Sequence, residues 1–406
     1  MEESPLLKSA KLTKACYVLL IALISLGCIW DSDTLDDELR GLPDAFSLVT
    51  GRWFQHSDAY YHARIRNLPA VLKANPDNLA VYDDLAVAYE RIGNREAAIA
   101  MMKQKALALA RTPNAEHQYR YHANLGTFLA HMGNLQAGVA ELERAVEINP
   151  DAHFGRERIQ IDVIRFVIEA KANPNLWSEY NSLTWAGYDF PLLAHNPVFQ
   201  DLYPNTWISH EMNSKELKKI SFDEAYQGVA AMIRFGGLEA PELYRILGDL
   251  FLSNRDYHLA WWSYQRAIER GHPAIKHINH AIYSIEEHWR KAGMHARPTL
   301  KDFAKVRQNA DIWLANFHAA EEEALRQGED TSKRDVLARL IAFADRTTPN
   351  VPHVGPHRIV VFWKTNNTVL VPGVVGGLAL CALPFLLLRY NRQRRKTRQD
   401  TSTTTR

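Results

Sequence analysis

Residues 124–150 read NLGTFLAHMGNLQAGVAELERAVEINP, and this stretch decides the fold. Its apolar spacing indicates two helices, at 120–132 and 135–148. A turn at Gly133 and Asn134 separates them, because glycine and asparagine adopt the left-handed backbone that such a turn needs. The stretch therefore predicts a pair of helices joined by a very short connection.

Small residues lie inside both predicted helices. Gly126 lies among leucines of the first helix, and Gly138 and Ala145 lie among apolar residues of the second. Glycine costs a helix about 1 kcal/mol relative to alanine, so its use here indicates a packing reason. The small residues let two antiparallel helices approach closely, while larger residues fill the space between neighbouring pairs.

The same arrangement fits two further stretches, 78–113 and 241–273, each of which ends on a proline. The first of them has one extra residue in its second helix. This order of large, small and aromatic residues resembles the tetratricopeptide repeat (TPR). The resemblance implies an all-α fold, a TPR-type α-solenoid of antiparallel helix pairs.

Weaker helical segments flank the three clear units, and a single helix pair needs such neighbours to bury its apolar faces. They are found at 58–76, 153–170, 221–235, 274–291, 299–327 and 332–345.

An aromatic-rich and proline-rich insertion, 174–220, interrupts the repeats and divides them into two groups. Two interpretations of it stay open. Its aromatic side chains fold back over an exposed repeat face, or they form a contact patch for a partner, since Trp and Tyr are common interface hot spots.

The N-terminal segment 15–30 is uncharged, follows three lysines and precedes an acidic run. That charge layout is typical of a signal sequence or signal anchor that begins in the cytoplasm. The sequence ISLGC, ending at Cys28, also resembles a bacterial lipoprotein processing site, which makes Cys28 a candidate for lipid attachment. Asp31 and Asp33 of WDSDTL are either an ordinary acidic segment beside an anchor or functional residues.

The C-terminal segment 369–388 contains twenty uncharged residues, enough for a membrane-spanning helix. A run of arginines and one lysine follows it and favours a cytoplasmic tail, although a lipid-binding or nucleic-acid-binding patch is the alternative. The two ends together place residues 31–367 outside the cytoplasm. Since no cysteine occurs between residues 29 and 380, a bacterial periplasm fits better than a disulfide-rich secretory lumen, and the bacterial inner membrane is the predicted location.

These observations divide the chain into eight parts. They are the signal or anchor segment 1–30, an acidic juxtamembrane segment 31–57, an N-terminal TPR region 58–173, the insertion 174–220, a C-terminal TPR-like region 221–350, a linker 351–368, the transmembrane helix 369–388 and a basic tail 389–406.

The TPR resemblance implies that first helices line an inner groove that binds a protein partner. The candidate groove residues are Asp83, Glu90, Arg91, Arg120, Asn124, Thr127, His131, Glu242, Arg245 and Asp249. Some family members hold a partner's terminal carboxylate with a Lys/Asn/Arg clamp. Asp83 and Val87 depart from that clamp and leave Asn124 as an isolated match, so the sequence argues against this mode of binding.

Composition and motifs offer little chemistry. Lys plus Arg is 48 against 46 for Asp plus Glu, and this balance gives no indication of a nucleic-acid partner. No phosphate-binding glycine loop or nucleophile motif occurs, so we predict no catalytic, cofactor-binding or metal residues and no cofactor. The histidines between His272 and His288 are the weaker alternative, a metal-dependent site, although no H-E-x-x-H sequence occurs.

The phrases WDSDTLDDEL, VYDDLAVAYERIGN, ANLGTF and EINPDAHFGRE resemble a group of exported bacterial TPR proteins. That resemblance covers residues 28–160 and implies no particular reaction. The sequence therefore predicts a non-enzymatic, membrane-anchored TPR scaffold whose partners are proteins and, through its terminal segments, membrane lipid. A structural subunit of an envelope complex and a metal-dependent enzyme are the alternatives.

Overall fold

A computed structural model of the protein describes residues 29–34, 41–150, 156–189, 218–236 and 240–349. The chain divides into two units, Met1–Val354 and Gly355–Arg406, and every described residue belongs to the first.

The described residues are mainly helical, and two two-residue strands pair in parallel. The helices before the insertion are α1 (Ala45–Thr50), α2 (Asp58–Ala74), α3 (Leu79–Arg91), α4 (Arg95–Arg111), α5 (Ala115–His131), α6 (Leu135–Ile148) and α7 (Arg156–Ala172). The insertion contains α8 (Leu176–Glu179), α9 (Ser182–Trp185), β1 (Tyr188–Asp189) and β2 (Lys218–Lys219). The remaining helices are α10 (Phe222–Gly236), α11 (Pro241–Ser253), α12 (Tyr257–Glu269), α13 (Ile275–Lys291), α14 (Leu300–Arg326) and α15 (Arg334–Thr347).

The three predicted helix pairs are confirmed as α3/α4, α5/α6 and α11/α12, each of which packs internally. Gly93 and Gly133 have φ values of 80° and 87°, the left-handed conformation that the sequence predicts for the first two turns. The third turn places Arg255 at φ 61°, an uncommon conformation for a residue with a side chain. Asn94 and Asp256 then begin the second helices of their pairs by accepting hydrogen bonds from backbone N–H groups at 3.2 and 3.1 Å.

The contact between α5 and α6 depends on two facing glycines. A Cβ atom added at Gly126 would lie 2.8 Å from the carbonyl oxygen of Gly138, and one at Gly138 would lie 2.8 Å from the carbonyl oxygen of Gly126. Ala130 and Leu142 complete the contact around them. The small residues of the opening sequence thus allow backbone-to-backbone packing, as predicted.

The insertion interrupts the order of repeats along the sequence, but α7 packs directly against α10 across it. Its described residues fold back onto α7 and α11, since α9 contacts both helices. The fold-back interpretation therefore holds for residues 176–188. Residues 190–217 lie outside the described part of the chain.

Helices α1 and α2 also pack against α14, far away in sequence. The His56 Nδ1 and Glu321 Oε1 atoms are 2.5 Å apart, and the Ser57 N–H donates to Glu321 Oε2 at 2.6 Å. The guanidinium of Arg307 donates to the carbonyl oxygen of Thr50. A repeat pattern predicts contacts between neighbouring helices only, so these contacts are additional to it.

Candidate binding groove

Most of the side chains predicted to line the groove are buried beneath other parts of the same chain. The buried ones are Asp83, Glu90, Asn124, Thr127, His131, Glu242, Arg245 and Asp249. Arg91 and Arg120 are partly exposed. Other segments of the same chain therefore cover most of these side chains.

Residues 29–34, which we call the N-terminal strap, occupy the groove formed by α3, α5 and α7. The side chain of Asn124 holds the strap by its main chain: Oδ1 accepts from the Trp30 N–H at 2.7 Å, and Nδ2 donates to the Trp30 carbonyl oxygen at 2.8 Å. Asp84 accepts from the N–H and the hydroxyl of Ser32 at 2.8 and 3.1 Å. Asn124 is thus a binding residue, and its ligand is the chain's own backbone.

Trp30 anchors the strap and has no exposed surface. Its ring meets Tyr119 edge to face at a centroid separation of 6.0 Å, and the guanidinium of Arg156 lies 5.0 Å from the ring centroid. Ile29 packs beside it against Val87 and other core residues of α3 to α5. Aromatic burial and cation–π contact both favour this position of the indole.

The strap includes residues from two of the predicted segments. Residues 29 and 30, assigned to the apolar terminal segment 1–30, lie in the core of the helix array. Asp31 and Thr34, assigned to an acidic juxtamembrane segment 31–57, are also buried. Hydropathy alone does not separate these cases, because a protein core and a bilayer are both apolar.

A buried ion pair between Lys105 and Asp83 contacts the side chain of Asn124. Lys105 Nζ lies 2.6 Å from both carboxylate oxygens of Asp83, and Asn124 Nδ2 donates to Asp83 Oδ1 at 3.1 Å. Lys105 has no exposed surface, and burial lowers its pKa. The pair fixes the orientation of the Asn124 amide, since the carboxylate accepts only from the NH₂ end.

The other predicted residues of this groove hold neighbouring elements. His131 Nδ1 lies 2.7 Å from Glu90 Oε1, and Thr127 accepts from the Gln160 amide of α7 at 3.1 Å. Arg91 donates to the carbonyl oxygen of Phe235 in α10 at 2.9 Å. Arg120 instead pairs with Glu116 on its own helix at 2.9 Å.

The first helix of the third pair, α11, holds a second segment of the chain. Arg245 donates to the Trp177 carbonyl oxygen at 2.5 Å, and Glu242 accepts from the Ser182 N–H at 2.8 Å. Asp249 accepts from the Asn181 amide at 2.7 Å. The predicted residues of α11 therefore bind residues 177–182 of the insertion, again largely through the main chain.

The strap carries an acidic cluster into the groove. Asp33 accepts from the Tyr60 hydroxyl at 2.7 Å and pairs with Arg64 of α2. Arg64 also lies 3.0 Å from Asp84 Oδ2. Asp31 is buried next to Asp33 and Asp84, and its Oδ1 accepts from the Thr34 N–H at 2.8 Å.

Burial, followed by repulsion from Asp33 and Asp84, raises the pKa of Asp31 to about 7, although Arg64 acts in the opposite direction. Burial raises the pKa of Asp84 as well. His56, Tyr61, Arg91 and Arg234 line a cavity of about 30 Å³ that Asp31 and Asp33 also line.

We expect the Asp31→Asn variant to gain stability relative to the wild type as pH rises from about 5 to about 8. The folded state keeps a proton on Asp31 that the unfolded state releases near 3.8, so the wild type loses stability as pH rises toward the folded pKa. The uncharged amide of the variant resembles the protonated carboxyl at every pH. Urea unfolding of both proteins across this range measures the difference.

The comparison between variants is needed because other groups titrate in the opposite direction. Burial lowers the pKa of His272 and His277, so these groups stabilise the fold as pH rises through 6.5. The control is Glu287→Gln, since a hydrogen bond from Arg290 lowers the pKa of Glu287 and keeps its titration below this range. A constant difference between Asp31→Asn and the wild type would contradict the prediction.

The histidines of the weaker enzymatic alternative have different surroundings. His272 is buried and its Nε2 lies 2.8 Å from Glu242 Oε2. His280 is exposed, and the ring of His288 lies 4.2 Å from the ring of Tyr257 at a tilted angle. Within the described ranges, no three His, Cys, Asp or Glu side chains converge in a way that could hold a metal ion.

The sequence analysis did not single out Trp30, Tyr60, Arg64 or Lys105. The sequence pattern could have identified Lys105, because it shares one helical face with Ala98 and Met102. A lysine on a buried face needs an acidic partner. No local signal links Arg64 to Asp33, since the two residues lie on different elements.

Cys28 and the segment 369–388 lie outside the described residues. Of the segment 15–30, the structure describes only residues 29 and 30. Among the helices that the structure describes, none combines the length and the apolar character needed to cross a bilayer.

One comparison with known proteins agrees with the second helix pair, α5/α6. A family model of the tetratricopeptide repeat matches residues 119–152, which include most of α5 and all of α6. No curated protein and no solved structure gives a significant match. The match agrees with the pairing of α5 with α6 and shows that this stretch of the chain is similar to a tetratricopeptide repeat.

Proposed function

We propose that the protein is a protein-interaction scaffold that its terminal apolar segments hold at a bacterial membrane, with residues 31–367 outside the cytoplasm. Tetratricopeptide repeats generally mediate contacts between proteins, and the repeat at 119–152 supports this role.

The observation that carries the proposal is the way in which the grooves hold chain segments. Asn124 binds both main-chain polar groups of Trp30, and Arg245 and Glu242 bind the main chain of Trp177 and Ser182. Main-chain contacts with one aromatic anchor are typical of the recognition of short peptide segments. The inner helices thus have the chemistry that a peptide-binding scaffold requires.

The terminal segments support attachment to a membrane. Segment 369–388 is long enough to span a bilayer, and the arginines after it favour a cytoplasmic tail. The strap begins directly after the apolar residues that end at Cys28, so an anchor or a lipid there would hold the groove close to the membrane surface.

The test is photo-crosslinking in intact cells, with a photoreactive residue at Arg120, on the partly exposed part of α5. We expect a discrete adduct with another protein, and we expect protease added to spheroplasts to digest it without lysis. The same residue at the exposed Glu96 of α4 is the control. Equal adducts at both positions would contradict groove binding, and protection until lysis would contradict the location.

The structural-subunit alternative predicts a fixed stoichiometric complex in detergent instead of a dissociable adduct. The metal-dependent alternative predicts bound metal that is lost from a His277→Ala variant.

A further inference from the structure

The contacts of the strap separate into a general part and a specific part. Asn124 and Asp84 bind main-chain groups of Trp30 and Ser32, and such groups occur in every sequence. The specific part consists of the Trp30 indole between Tyr119 and Arg156, the Ser32 hydroxyl on Asp84 and the Asp33 carboxylate on Arg64. These contacts together recognise the sequence Trp-x-Ser-Asp, in which x is the residue at position 31.

The groove keeps a buried ion pair beside this site. An apolar replacement for a pair such as Lys105 and Asp83 is often as stable or more stable, because removing two charges from water is costly. The pair here orients the Asn124 amide toward the strap. The pair is therefore suited to recognition, because it fixes the amide that binds the strap.

Position 31 does not complement the groove. The Asp31 carboxylate is buried beside Asp33 and Asp84, and Arg64 pairs with Asp33 and Asp84. Tyr60 faces the same cluster from α2, and His56, Tyr61, Arg91 and Arg234 line the cavity that Asp31 itself lines. The other strap residues complement the groove, but Asp31 is repelled by Asp33 and Asp84. A segment with an uncharged residue at this position would therefore bind the groove more tightly.

We propose that this groove recognises an acidic partner segment of the form Trp-x-Ser-Asp with an uncharged x, and that the strap occupies the groove until such a segment replaces it. This inference rests on the proposed function and specifies the chemistry of the partner. The strap then competes with the partner segment as a ligand on the same chain. The charge at position 31 weakens its binding, so that the partner segment can displace it.

The test uses the full chain in detergent and a fluorescent peptide with the sequence of residues 29–36, IWDSDTLD. The Trp30→Ala variant weakens the strap and leaves every groove side chain in place. We expect it to bind the peptide at least tenfold more tightly than the wild type does. Adding Asn124→Ala should remove that gain.

A second peptide carries asparagine in place of Asp31. We expect it to bind the Trp30→Ala protein at least threefold more tightly than the native peptide at pH 8, with a smaller difference at pH 5.5. Equal binding of the two peptides at pH 8 would overturn the specificity for an uncharged x.

Hydrogen exchange of the wild type gives a result that does not depend on how the variant folds. We expect the N–H groups of Trp30 and Ser32 to exchange through local opening, faster than those in the middle of α5. Exchange of the strap only with global unfolding would overturn the proposal, as would a folded Trp30→Ala protein that binds no peptide. If only the crosslink at Arg120 is absent, the proposed cellular function is contradicted, whereas the proposed recognition site is not.

Discussion

Replacing Lys105 by methionine should lower the free energy of unfolding by about 3 kcal/mol or more. The change leaves the Asp83 carboxylate buried without its cation, and breaking a buried pair in this way typically costs about 3–5 kcal/mol. The lower part of that range applies because Asn124 still donates to Asp83 and His117 Nδ1 lies 3.6 Å from it. Urea unfolding followed by circular dichroism measures the loss.

A double variant separates the effect of leaving Asp83 unpaired from the effect of losing the Lys105 side chain. We expect Asp83→Asn combined with Lys105→Met to recover at least half of the loss, since no unpaired charge then remains in the core. The matched control is Lys103→Met, an exposed lysine on the same helix, which should change stability by less than about 0.5 kcal/mol. Equal effects at positions 103 and 105 would show that the buried pair has no special role.

Gly126→Ala should destabilise the protein by about 1–3 kcal/mol, even though alanine favours a helix by about 1 kcal/mol relative to glycine. The new methyl group would lie 2.8 Å from the carbonyl oxygen of Gly138, and a backbone atom cannot rotate away. The two helices of the repeat must therefore separate slightly, and this loosens the packing of the residues around them. The shift in urea midpoint measures the effect.

Gly228→Ala is the matched control, because Gly228 also lies inside a helix, α10. An added Cβ there meets the Cδ1 atom of Ile159 at 2.4 Å, and this atom is the flexible end of a side chain. We expect a small change or a gain in stability. If Gly126→Ala proved as harmless as Gly228→Ala, the close contact between α5 and α6 would not be what holds the repeat together.

The sequence predicted the helix pairs well because the information for them is local. Gly93 and Gly133 mark turns, and the spacing of apolar residues marks the faces of the helices on either side. The candidate groove residues were also found from their places on first helices. Asn124, Glu242 and Asp249 do bind chain segments, although the segments belong to the same molecule.

The sequence by itself thus determined that the chain forms paired helices with polar inner faces, since periods of three and four residues record which side of a helix is buried. Only the tertiary structure decided what those faces hold. Asn124 contacts Trp30 across 94 residues and Arg245 contacts Trp177 across 68, and all three hydrogen bonds go to main-chain atoms of the tryptophans. Every residue carries such atoms, so no pattern of side chains along the sequence records which of them a groove binds.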